Sequence, residues 1–169
     1  MAEKKALLAG GCFWGMEYLF RKQPGIISTR VGYCGGETKD PTYPEVKTGE
    51  TGHAETLEVL YNNDETTYQN ILEFFFKMHD ATTEGRQGND IGSQYRSAIF
   101  YCDENQKNKA LEIINYIDSL QILPGKIVTQ VVPEAPFYEA EDYHQDYLEN
   151  NPDGYTCHFV RKDWSLPKE

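Results

Sequence analysis

With 169 residues, 39% of them hydrophobic and 13% aromatic, the chain suits one globular domain with a buried core and is too apolar for a disordered segment. Its formal charge of −11, with the few basic residues scattered among acidic ones, argues against a nucleic-acid surface, which demands clustered Lys and Arg. No run approaches the ~20 apolar residues of a membrane span, and the apolar start from Ala6 to Gly10 is too short for a signal-peptide core, so the expected location is cytoplasmic.

Lys5 to Gly10 predicts a short buried strand closed by Gly-Gly, and Cys12 to Lys22 a helix with Phe13, Met16, Leu19 and Phe20 on one face. Pro24-Gly25 breaks it. Ile26 to Tyr33 is a second strand and Glu55 to Tyr61 a third, where Leu57, Val59 and Tyr61 alternate with Thr56 and Glu58. Thr67 to Met78 predicts a helix with Ile71, Leu72 and Phe75 inward, and Arg96 to Tyr101 a strand. Asp103 is an N-cap, with Gln106 three residues on, for a helix to about Leu120. Ile127 to Val132 makes a further strand, Ala140 to Asn150 a last short helix, and the tail from Pro152 shows no period. The mixture predicts an α/β (α+β) two-layer sandwich, with helices packed on a mixed or antiparallel sheet around a ferredoxin-like core. The expected organisation is a single domain over residues 1–169, of which 151–169 form a less regular tail. Two long connections, Cys34 to Ala54 and His79 to Tyr95, have the length at which loops are usually functional.

The four cysteines, at 12, 34, 102 and 157, form no C-x-x-C pair, so neither a metal site nor a disulfide framework is expected. Cys12 follows a strand and two glycines and opens a helix, where unpaired amides and the helix dipole favour a thiolate. The same corner would equally hold a core thiol. Phe13 and Trp14 point about 100° apart, so one packs inward while the other lines a pocket beside the sulfur, unless both belong to the core. Tyr18 stands where a phosphatase-type cradle needs Arg, and no glycine-rich nucleotide loop exists, so no cofactor is expected.

The run Gly11-Cys12-Phe13-Trp14-Gly15 resembles the active-site signature of peptide methionine sulfoxide reductases of the A type. Further blocks resemble that family in the same order: 32–36 (GYCGG), 41–46 (PTYPEV), 51–55 (TGHAE), 89–97 (NDIGSQYRS) and 140–147 (AEDYHQDY). The resemblance implies that Cys12 attacks the sulfur of a methionine S-sulfoxide, free or in proteins, and that Glu55 is the acid that protonates the departing oxygen. Strand parity agrees, since Glu55 shares a face with Leu57, Val59 and Tyr61, where desolvation would keep a carboxyl protonated. On its own, Glu55 reads as a strand-end charge facing water. Tyr43 and Tyr95 match the family tyrosines that hydrogen-bond the sulfoxide oxygen, and Asp90 the residue that steadies the oxygen-binding groups, although a loop-capping role fits Asp90 as well. Phe13 and Trp14 would wall the substrate methyl group.

Oxygen transfer leaves a sulfenic acid, which condenses with a nearby thiol. The resemblance implies a resolving thiol in the tail, here Cys157 after Gly154-Tyr155-Thr156, with thioredoxin as reductant. Thr156 departs from the commoner Gly-Tyr-Cys spacing. Cys34, at a place where the family often has alanine, and an external thiol stay in contention as resolvers; Cys102 reads as structural. His53 would position a loop and His144 make a core or supporting hydrogen bond. A cysteine hydrolase built on Cys12, His53 and Glu55, and a non-catalytic binder of methionine-containing peptides, are the rival readings. A monomer is expected, with no nucleic-acid or membrane partner.

Overall fold

The computed structural model describes residues 3–156 and 158–167. Its elements in chain order are β1 (Glu3–Gly10), α1 (Phe13–Phe20), β2 (Ile26–Cys34), α2 (Tyr43–Lys47), β3 (Ala54–Asn62) and α3 (Tyr68–Met78). Next come the two-residue strands β4 (Arg86–Gln87) and β5 (Asp90–Ile91), then β6 (Ser97–Tyr101), α4 (Glu104–Leu120), β7 (Gln130–Pro133), β8 (Tyr138–Glu139) and α5 (Tyr147–Asn150). Six strands form one mixed sheet in the order β7-β6-β1-β3-β2-β8, in which β6 and β7 are parallel and the other neighbours antiparallel. A parallel pair needs a long crossover, and α4 supplies it.

Alternation along the strands separates two apolar layers. Ala6, Leu8, Val31, Tyr33, Leu57, Val59, Tyr61 and Ile99 face α1, α3 and α4, whose Phe13, Met16, Phe20, Ile71, Leu72, Phe75, Phe76, Ala110, Ile113 and Ile117 complete the main core. Leu7, Ala9, Cys34, Ala54, Ala98 and Phe100 face the other way, under Val132, Ala135 and Phe137. Asp103 caps α4 through the Gln106 amide at 2.8 Å, as its spacing predicts.

The predicted long loops are partly regular. Thr42 and Glu45 make a reciprocal capping box that starts α2 inside the first. The second folds as the β4–β5 hairpin followed by a 3-10 turn, Ser93–Tyr95. A continuous helix over 140–150 does not form. A 3-10 turn, Asp142–His144, is followed by a left-handed Asp146 (φ 53°) and only then by α5. The buried Glu17 carboxylate of α1 takes the Asp146 amide at 2.6 Å and the Thr29 hydroxyl at 2.9 Å, and this bond at Asp146 holds the break. No helix among the described residues is long and apolar enough to cross a membrane.

Candidate active site

The strand-to-helix corner is built by glycines for steric reasons. Gly11 has φ +99°, and a Cβ there would lie 2.6 Å from the Gln87 side chain, so only glycine fits. The turn delivers Cys12 as N-cap of α1, with 8% of its surface exposed. A helix start leaves its first amides without intrahelical acceptors. The Phe13 amide donates instead to Glu55 Oε1 at 3.2 Å, which fixes the carboxyl beside the residue following the sulfur.

Glu55 pairs with Tyr33 across β3 and β2 and is 2% exposed, on the helix side of the sheet. Burial pushes its carboxyl up to about 8; the Phe13 amide opposes this and the charge of Asp90 adds to it. The group is therefore a neutral acid at neutral pH. Tyr43, first residue of α2, is half-buried, and burial followed by the charges of Glu55 and Cys12 pushes its phenol up to about 12. Tyr95 closes the 3-10 turn after the hairpin, and burial, then Glu55, Tyr43, Asp90 and Cys12, push its phenol up too. Mutual influence of this kind requires proximity, so Cys12, Glu55, Tyr43, Asp90 and Tyr95 form one cluster drawn from five segments. Three of the five are O–H groups that keep their protons at neutral pH.

One wall of the cluster is aromatic. Phe13 is fully buried, its ring 5.8 Å from Tyr33 and 5.3 Å from His144. Trp14 is half-buried, stacks on Tyr147 at 3.8 Å, and donates its indole N–H to His144 Nδ1 at 2.9 Å. An accepting Nδ1 makes His144 neutral with its proton on Nε2, and burial lowers its pKa accordingly. The His144 ring also lies 4.4 Å from Tyr43 and 4.1 Å from Tyr143. Glu141 takes the Tyr33 hydroxyl at 2.8 Å and the Tyr43 amide at 2.9 Å, which ties α2 to this wall. Burial raises the Glu141 carboxyl, but these hydrogen bonds outweigh it and hold the group below its ordinary value. Glu141 lies in the 140–147 block, but nothing local in the sequence distinguishes it from the 26 other acidic residues.

The remaining candidates are placed elsewhere. His53 Nδ1 accepts the Gly36 amide at 3.0 Å and Nε2 lies 2.7 Å from the Thr38 carbonyl, so both ring nitrogens are committed to pinning a loop. That removes the base required by the hydrolase reading. Cys34 is fully buried on the opposite face of the sheet from Glu55, with its thiol 3.5 Å from the Ala135 carbonyl and pushed up by burial. A thiol on that face cannot meet Cys12, so its candidacy as resolver fails. Burial pushes Cys102 up to about 11, far from the cluster at the end of β6. Cys157 lies outside the described residues. Among the described residues no three His, Cys, Asp or Glu are grouped to hold a metal ion.

Over nearly its whole length the chain is similar to proteins of one family. The family model described as peptide methionine sulfoxide reductase matches residues 4–166. A peptide methionine sulfoxide reductase MsrA of Mycobacterium sp. (strain JLS) is 58% identical over 98% of this chain and 94% of its own. The reduced form of Mxr1 from Saccharomyces cerevisiae superposes with a TM-score of 0.90 at 39% identity, over 95% of this chain and 93% of that one. Mxr1 in complex with Trx2 gives 0.65 at 27% identity, over 95% and 91%.

Proposed function

The chain belongs to the peptide methionine sulfoxide reductase family, and we propose that Cys12 carries out its reaction on the S-epimer of methionine sulfoxide, free or in proteins, with thioredoxin returning the electrons. The observation that carries this reading is the buried, protonated Glu55 held by the amide of the residue after Cys12. A sulfoxide oxygen leaves only if it gains a proton as the new bond forms. The Cys12 thiolate attacks the sulfoxide sulfur while Glu55 donates to the oxygen and Tyr43 and Tyr95 hydrogen-bond it. The oxygen passes to Cys12, giving a sulfenic acid and methionine. Asp90 steadies the donors and supports the raised carboxyl. Phe13 and Trp14 give the methyl group an apolar wall, so exchanging methyl and oxygen would bury the oxygen without donors.

Cys157 is our candidate for the resolving thiol. The supporting facts are its place in the tail and the exclusion of Cys34. Its thiol displaces water from the sulfenic acid, and thioredoxin then reduces the Cys12–Cys157 disulfide; the Mxr1–Trx2 complex of a family member supports that partner. We take the chain as one catalytic domain, acting as a monomer in the cytoplasm.

Two measurements test this. Racemic methionine sulfoxide incubated with enzyme and thioredoxin should lose its S-epimer completely while the R-epimer is lost only at the background rate; equal loss of both epimers would overturn the assignment. A Cys157→Ser variant should release one methionine per chain and then stop, and sustained thioredoxin-driven turnover would move the resolving role to an external thiol.

A further inference from the structure

Thr156 and His158 stand on either side of position 157, the first exposed and the second buried. His158 Nε2 lies 2.7 Å from the carbonyl of Gly10. A carbonyl only accepts, so Nε2 carries the proton and Nδ1 is bare. That Nδ1 is buried against Gly15 of α1, with no hydrogen-bond partner among the described residues. Thr156 Oγ1 accepts the His158 amide at 3.2 Å. Both side chains rest on Gly15, where a Cβ would lie 2.5 Å from Thr156 Oγ1 and overlap His158 Nδ1. A Cβ at Gly11 would come within 3.1 Å of His158 Nε2. The seat is thus made of residues that bracket Cys12 in sequence. The tail is fastened again three residues on, where the Arg161 amide bonds the Lys77 carbonyl at 2.9 Å, and later at Leu166, whose amide bonds Glu73 Oε1 at 3.2 Å.

We propose that His158 is a positioning residue for the resolving step, holding the tail on the Gly11–Gly15 seat through its bond to Gly10 so that the neighbouring thiol meets the oxidised Cys12. This rests on the reading of Cys157 as the resolving thiol. In that step an S–S bond forms between Cys12 and Cys157 and the S–O bond of the sulfenic acid breaks. The thiol proton leaves with the hydroxide as water, so no further oxidant or reductant is needed. His158 does not take part in oxygen transfer. It raises the local concentration of a thiol carried by the tail, whose described residues after Asn150 join no strand or helix.

The test separates the two steps. Reduced protein is mixed with one equivalent of methionine S-sulfoxide without thioredoxin and quenched at intervals. Methionine is counted, and sulfenic acid and disulfide are distinguished by protein mass after a cyclic-diketone trap. His158→Ala should release methionine at the wild-type rate but close the disulfide about tenfold more slowly, the scale of one lost hydrogen bond, with trapped sulfenic acid accumulating. His158→Gln, which returns an N–H donor at similar reach, should recover most of the rate. Gly15→Ala favours the helix yet fills the seat, so it should repeat the defect with His158 intact. Disulfide closure at the wild-type rate in His158→Ala, or a Gln variant as slow as the Ala variant, overturns the proposal. Wild-type protein that releases no methionine would instead overturn the function. A disulfide that still forms in Cys157→Ser would overturn the resolver, and the proposal with it.

Discussion

Cys12→Ser is expected to bind methionine sulfoxide and to release no methionine, a loss on the order of 10^4-fold or more, as when other enzymes lose their nucleophile. Serine keeps the corner, the Phe13 amide and every oxygen donor, so substrate affinity should change little. What it lacks is a thiol, which attacks as its thiolate and can take up the oxygen as a sulfenic acid. No other described thiol can substitute. Cys34 is fully buried across the sheet, and Cys102 is pushed up to about 11 at a distant strand end. The measurement is methionine released per chain in one turnover, with the mass of the protein after a sulfenic-acid trap. A wild-type burst from Cys12→Ser would sink both the nucleophile and the oxygen-transfer scheme.

The parts of this molecule that a sequence reveals are those set by local periodicity. The alternation in β3 puts Glu55, Leu57, Val59 and Tyr61 on one side of the sheet, and Asp103 with Gln106 marks the start of α4. Strand parity even separates Glu55 from Cys34, since Tyr33 pairs with Glu55 and Cys34 with Ala54. The break inside 140–150 is different in kind. It depends on Glu17, more than 120 residues earlier by number, reaching the Asp146 amide, and no local pattern encodes such a bond. The capping box of Thr42 and Glu45 lies inside a stretch rich in Gly, Thr and Asp that reads as a loop. The aromatic wall is a similar case: His144 lies among Phe13, Trp14, Tyr43 and Tyr143 only because the chain turns there. Thr156, a departure from the commoner Gly-Tyr-Cys spacing, finds its physical account in three dimensions, as the acceptor for the His158 amide on the Gly15 seat.

Single-turnover reduction by the wild type is expected to fall as pH rises through about 8, by about tenfold per unit once Glu55 ionises. The sign is diagnostic. Ionisation of a nucleophilic thiol would raise the rate with pH, and Tyr43 keeps its proton until about 12, so a fall near 8 belongs to the carboxyl. Glu55→Gln keeps a hydrogen-bond donor but has no proton to give; its rate should drop about 10^2-fold or more and lose the alkaline fall. Stability should move the opposite way. Folding raises this group from 4.5 to about 8, so the native state holds the proton more tightly, and stability is greatest below 4.5 and declines as pH climbs toward 8. At pH 7 the folded protein must protonate a carboxyl that the unfolded chain leaves ionised, a cost on the order of 3 kcal/mol. Glutamine is neutral in both states and escapes it, so the variant should melt higher than the wild type at pH 7 and alike near pH 4. Melting curves at the two pH values, set beside the pH–rate profile, check both halves. A variant that is both slower and less stable at pH 7 would make Glu55 a structural anchor for the Phe13 amide. A slower but more stable one marks a group that the fold retains at a cost for its proton.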